Sequence, residues 1–210
     1  ENLRYLQPQP NSNSNSYDYS NYASKSKNAG LTDGELISTT SDESVIYITD
    51  SSYTISNSNI KKQSGDSSNV ENSEFYGVNA AVLVQGGELT VTGGTIETAA
   101  KGANAVCATN NGKVTISGTK ITSTATSSAR GLHATYGGTI TATSLEISST
   151  GGSCATLATD RGEGTVTCNT CTVTTSGSGS PLIYSTGQIK ASGSTGTSNG
   201  AQAVVVEGRS

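Results

Sequence analysis

Residues 87–110, GELTVTGGTIETAAKGANAVCATN, line up with residues 112–136, GKVTISGTKITSTATSSARGLHATY, and with residues 138–160, GTITATSLEISSTGGSCATLATD. Two further copies start at Gly164, GTVTCNTCTVTTSGSGSPLIYS, and at Gly187, GQIKASGSTGTSNGAQAVVVEG, the last with a degraded middle. Looser copies precede them, in SVIYITDSSYTISNSNIKK from Ser44 and VNAAVLVQ from Val78. Self-similarity at a period of roughly 20 to 50 residues marks a solenoid, in which each repeat buries its apolar face only against its neighbours.

Each copy contains three short strand patterns. The first alternates an apolar residue with a hydroxyl: Leu89 and Val91, Val114 and Ile116, Ile140 and Ala142, Val166 and Cys168. Such alternation points one set of side chains inward and the other outward. The second pattern places Ile96, Ile121, Ile147 and Val173 seven residues after the leading apolar position. The third contributes Val106, Leu132, Leu157, Ile183 and Val205, with Gly and small polar residues at the corners between patterns. Strands this short have no partner within their own copy, so each pairs with its equivalent in the next, about 4.8 Å away. The expected fold is therefore all-β: a right-handed parallel β-helix of about six rungs, the hand following from the bias of parallel crossovers.

Composition agrees with a thin, repetitive core. Of 210 residues, 32% are hydrophobic and 5% aromatic, with 25 Gly, one Phe and neither Trp nor Met. A formal charge of −4, with only 12 Lys and Arg, argues against a nucleic-acid partner. No run of about 18 apolar residues inserts in a membrane. The first residue is Glu1 rather than Met, as in a mature chain after signal removal, and four cysteines suit an oxidising setting, so a secreted, cell-surface location is expected.

The domain reading separates a Ser/Asn/Tyr-rich N-terminal tail, residues 1–30, from a β-helix over residues 31–210 with an insertion at 63–77. The extended tail, punctuated by Tyr5, Tyr17, Tyr19 and Tyr22, suits a donated strand in a neighbouring subunit or packing on its own solenoid. The insertion, QSGDSSNVENSEFYG, is too long for a corner and reads as an apolar plug beside the solenoid or as a ligand-contact loop. At the other end, Val204, Val205 and Val206 form a strand edge with nothing after it to cover it. Together these features imply head-to-tail stacking into a homo-oligomer or fibre, since a heterologous contact need not close.

Tests for chemistry return no catalytic set, no cofactor and no metal. Glu88, Glu97, Glu146, Asp160 and Glu163 fall on different strands or corners, so no carboxylate pair is expected to converge, and Asp160 with Arg161 reads as a local turn contact. His133, the only histidine, is placed outward as surface decoration beside Cys107. Cys168 and Cys171 either close a small bridge or pack as hydrophobes, while Cys107 and Cys154, about two rungs apart, are free or intermolecular. The most regular surface feature is an outward hydroxyl ladder: Thr90, Thr115, Thr141 and Thr167 in one column, and Thr92, Ser117, Thr143 and Asn169 in the next. It stabilises a sheet face, and it also suits docking of a polysaccharide or an ice-binding array, whose regularity Asn169 and Lys190 interrupt.

Four phrases carry a family resemblance: SGDSSNVENSEFYGVNAAVLV (64–84), DRGEGTVT (160–167), SPLIYST (180–186) and AVVVEG (203–208). Over roughly residues 44 to 208 the chain resembles bacterial secreted, adhesin-like right-handed β-helix repeat proteins of the pectin-lyase-like superfamily. The resemblance implies a β-helix and, through relatives described as carbohydrate-binding, a polysaccharide partner. The cysteines, the early C-terminal stop and the tail depart from that pattern. The expected function is a non-enzymatic extracellular structural or adhesive protein that self-assembles. A carbohydrate-binding module for cell-wall polysaccharide comes second and an ice-binding solenoid third.

Overall fold

The computed structural model describes residues 14–208. It is a parallel β-solenoid of about seven turns, each contributing one strand to each of three sheets. Sheet A has eight strands, from Ser24–Lys27 to Val204–Val206; sheets B and C have seven each, starting at Leu31–Thr32 and Glu35–Ser38. The strands pair in parallel, each with its equivalent in the adjacent turns.

The count exceeds the expected six because the first turn lies partly inside the stretch read as tail. Ser24–Lys27 pairs with Ser44–Ile48 even though its sequence, SKSK, lacks any apolar alternation. Backbone pairing along a sheet edge does not require apolar side chains when the neighbouring turn already supplies the core, so composition gives no sign of it.

Inward columns run through the stack in register. In sheet B, Leu89, Val114, Ile140, Val166 and Ile189 align, as do Val91, Ile116, Ala142, Cys168 and Ala191. In sheet C, Ile60, Ile96, Ile121, Ile147 and Val173 stack. In sheet A the column is Ile46, Val82, Val106, Leu132, Leu157, Ile183 and Val204, which moves the last position one residue from the expected Val205. A one-residue shift exchanges the two faces of a strand, so Val205 is outward and Val204 and Val206 lie on the inner side.

Cys168 and Cys171 form a disulfide inside this core, at the corner between sheets B and C. Cys107 and Cys154 are free and buried, which leaves neither thiol available at the surface for an intermolecular bridge. Lys62 is also enclosed, on the inner face of sheet C near the N-terminal end. Its ammonium donates to Ser38 Oγ and to the carbonyls of Thr40 and Glu43, and burial pushes its pKa down to about 8.

At one corner close stacking requires that a side chain be missing. A Cβ at Gly151, Gly177 or Gly200 would strike the backbone of the turn below, so a glycine column lets the chain pass from sheet C toward sheet A.

Candidate functional site

The insertion at 63–77 holds a short helix, α1 (Val70–Tyr76), capped by the Asn69 side chain on Glu71 N and ended by Gly77 in the left-handed region. A Cβ on Gly77 would lie 2.5 Å from Cys107 Sγ and 2.6 Å from Leu83 Cδ1, so glycine both terminates the helix and lets it close on sheet A. The helix therefore lies beside the solenoid, over Leu83, Cys107 and His133 of the outward column that runs from Tyr47 through Ala158 and Tyr184 to Val205.

Residues 15–22 cover the start of that column. Tyr19 and Tyr22 pack on a second apolar cluster of Tyr47, Ala80, Leu83 and Cys107. Tyr22 meets Tyr47 edge to face at 4.9 Å, its hydroxyl lies 2.8 Å from Ser44 Oγ, and it accepts from Asn79 N at 2.8 Å. Tyr19 donates to the Tyr76 carbonyl at 2.6 Å, and Asn15 Nδ2 donates to Thr109 Oγ1 at 3.0 Å. Burial raises the pKa of both tyrosines, with Tyr47 pushed up to about 12 for the same reason. Tyr17, Tyr19 and Tyr22 thus fasten the tail to its own chain, not to a neighbouring sheet: large rings that shield an apolar outward column are better satisfied there than on an edge. Tyr5 lies outside the described residues.

His133 is correspondingly buried, not exposed. Its Nε2 lies 2.6 Å from the Glu74 carbonyl of α1, its Nδ1 has no hydrogen-bond partner, and burial pushes its pKa down to about 3. Nothing in the repeat around His133 foretells this, because α1 supplies the cover from 59 residues upstream. Cys107 beside it has a pKa raised to about 12 by burial, so the two form a neutral pair without a thiolate.

Beyond His133 a charged group gathers that the spacing of carboxylates in the sequence did not reveal. Arg130, only 7% exposed, extends from the corner before Leu132–Ala134 and reaches across the next strand to place its guanidinium 5.9 Å from the Tyr184 ring centroid. Its Nη2 lies 3.6 Å from Glu74 Oε1 and 3.7 Å from Asp160 Oδ2, and Nη1 has no partner. Asp160 does make the expected local contact, accepting from Arg161 N at 2.9 Å, but its carboxyl also faces Arg130. Burial raises its pKa to about 6 against the opposing pull of Arg130. Arg161 stacks over Phe75 of α1 at 3.8 Å, and Tyr136 stacks on Tyr76 at 6.1 Å, which in turn contacts Tyr17 at 5.4 Å.

Sheet B presents the opposite character. Thr54, Thr90, Thr115, Thr141, Thr167 and Lys190 stand in one outward column, and Ser56, Thr92, Ser117, Thr143, Asn169 and Ser192 in the adjacent one. Thr90, Thr92, Thr115, Thr141 and Thr143 are exposed; Ser117 and Thr167 are partly so. At the last turn, Val204 and Val206 are 53% and 66% exposed, and the strand carrying them pairs only with Ile183–Ser185.

Among the described residues no group of three or more His, Cys, Asp or Glu side chains is placed to hold a metal ion, and no helix is long and apolar enough to cross a membrane. Fold and site define a parallel β-solenoid with one sealed and one open face. Known families, curated proteins and solved structures provide no match to the chain.

Proposed function

We propose that the protein is a non-enzymatic extracellular structural or adhesive element that assembles by stacking turns from copy to copy. The observation that carries this reading is the match between its two strand edges. Ser24–Lys27, Leu31–Thr32 and Glu35–Ser38 present the same order of parallel strands as Val204–Val206, Gln188–Ser192 and Thr195–Ser198 at the far end. One end of a copy meets the other end of the next in the relation that already joins consecutive turns, and Val204 and Val206 would leave water in that contact. The buried Cys168–Cys171 disulfide supports an oxidising compartment. Sedimentation velocity and electron microscopy of the full-length protein test the assembly. Rods that shorten in a Val204→Lys, Val206→Lys variant support it, and a monodisperse monomer at high concentration overturns it.

A second reading, polysaccharide binding, is favoured by the flat hydroxyl grid on sheet B. An extended glycan lying across the strands meets repeating donors and acceptors, each weak in water, whose sum depends on register. Retention on insoluble polysaccharide that Thr115→Lys and Thr141→Lys abolish supports this use of the grid, and unchanged retention removes it. Thermal hysteresis in the same samples separates ice binding from both.

A further inference from the structure

We propose that the last turn of one copy is a socket for the first turn of a second copy in one fixed register, with Leu36 of the second copy entering an apolar cavity at that turn and Leu31 lying beside it over Ala191. The inference rests on the stacking reading and deepens it, naming the side chains that seat the contact and ruling out a joint between like ends.

A cavity of about 150 Å³ lies at the last turn, with Val173, Leu182, Ile183, Ala191, Gly196 and Val204 among its lining. That is roughly the space left when one leucine side chain is removed from a core. Its origin is the way the inward columns end. In sheet C the column Ile60, Ile96, Ile121, Ile147, Val173 stops at Gly196, and in sheet B the column Ile55, Val91, Ile116, Ala142, Cys168 stops at Ala191. Cys168 and Val173 are buried, whereas Ala191, Gly196 and Val204, one turn later on the same inner face, are exposed. The apolar interior is thus cut open at a position where two columns have lost their large side chains.

The first turn carries the complement. Leu36 heads the sheet C column through its pairing with Ile60, and Leu31 heads the sheet B column through Ile55; both are half-buried against the core. Sheet A is reversed in size, starting with Ser26 beside Ile46 and ending with Val204 beside Ile183. Carrying the turn-to-turn register from one copy into the next sets Leu36 on Gly196, Leu31 on Ala191 and Ser26 on Val204. A large residue meets a small one in all three columns. Joining two last turns supplies no large side chain for either cavity, and joining two first turns leaves both cavities open. A slip of one residue turns Leu31 and Leu36 to the outer face. The same register gives the unpaired N–H and C=O groups of each end partners on the other.

The test is cysteine pairing across the contact in the full chain, oxidised in air and read on a non-reducing gel, beside rod formation followed by electron microscopy. Paired residues of adjacent parallel strands lie about 4.8 Å apart, within the span of a disulfide. Ser26→Cys with Val204→Cys is therefore expected to give a ladder of covalent oligomers, and Ser26→Cys with Val205→Cys none. Leu36→Ala should raise the concentration at which rods form about tenfold or more, while Ile37→Ala, on the outer face of the same strand, leaves it unchanged. Ser26 and Val204 are not buried, so the cysteine pair provides the reading if Leu36→Ala fails to fold, as judged by thermal melting. Rods that crosslink through Val205→Cys instead, that form covalent dimers with Val204→Cys alone, or whose onset Leu36→Ala does not move overturn this contact and leave assembly standing. A parent chain that stays monomeric at high concentration removes the stacking reading and this contact with it.

Discussion

The outward faces of sheets A and B are built on the same backbone repeat, yet one is sealed and the other open. On sheet A the outward column holds Tyr47, Leu83, Cys107 and His133, all buried, because the Tyr-rich segment and α1 lie over them. On sheet B the equivalent positions are mostly Thr and Ser and are left uncovered. The strand itself does not decide which face of a solenoid becomes interior. Side-chain polarity at alternate positions sets the demand for cover, and segments distant in sequence meet it.

Substituting into the sealed face is expected to have the largest effect. Leu83→Ala removes a fully buried side chain from the second apolar cluster and should cost about 2–5 kcal/mol in denaturant unfolding. A loss near zero would mean that the tail and helix do not exclude water from this face.

Acid should sharpen the same contrast. The folded-state pKa of His133 lies at about 3, below its value of 6.5 in an unfolded chain, so the unfolded state binds the extra proton and stability falls as pH drops from 6.5 toward 3. The slope is up to about 1.4 kcal/mol per pH unit. Asp160 acts with the opposite sign: its pKa, raised to about 6 from 3.8, makes the folded state the better proton acceptor between these values. The two contributions therefore nearly cancel between about pH 6 and 3.8, and the His133 loss is clearest below 3.8. Thermal melts across this range should show a shallower acid dependence in His133→Gln, and an unchanged profile would remove His133 as its source.

Thiol chemistry tests the cover directly. Cys107 and Cys154 should both resist an aromatic disulfide reagent in the native state, since both are buried and burial raises both pKa values. Tyr19→Ala should speed labelling of Cys107 about tenfold or more while leaving Cys154, which packs with Ala125 and Ala129, protected. Equal rates in variant and parent would show that the tail does not guard the thiol.

The smallest effect belongs to the open face. Thr115→Ala should change stability by no more than about 0.5 kcal/mol, measured by the same unfolding curves, because its hydroxyl already faces water. A larger loss would mean that the threonine ladder holds the sheet together and is not a free surface.

Much of the solenoid was legible in the sequence because a period-2 pattern repeated at a fixed interval leaves few alternatives. Ile96, Ile121, Ile147 and Val173 align at one position of every copy, and the structure pairs them in register. The hydroxyl columns follow from the same count. Legibility failed where polarity gave no guide: at the SKSK strand, at Val204 and Val205 where three valines in a row hide which faces inward, and at the seam, whose charges come from residues 74, 130 and 160.

The repeat thus determined by itself the three-sheet coil, its inward columns and its hydroxyl face, since local alternation and nearest-neighbour pairing are written within each copy and its successor. Only the tertiary structure decided that the tyrosines fold back on their own chain, that His133 is buried, and that Glu74, Arg130 and Asp160 meet. Those contacts join segments from different turns, and proximity of that kind arises from how the coil stacks and what lies over it, not from alternation within one copy.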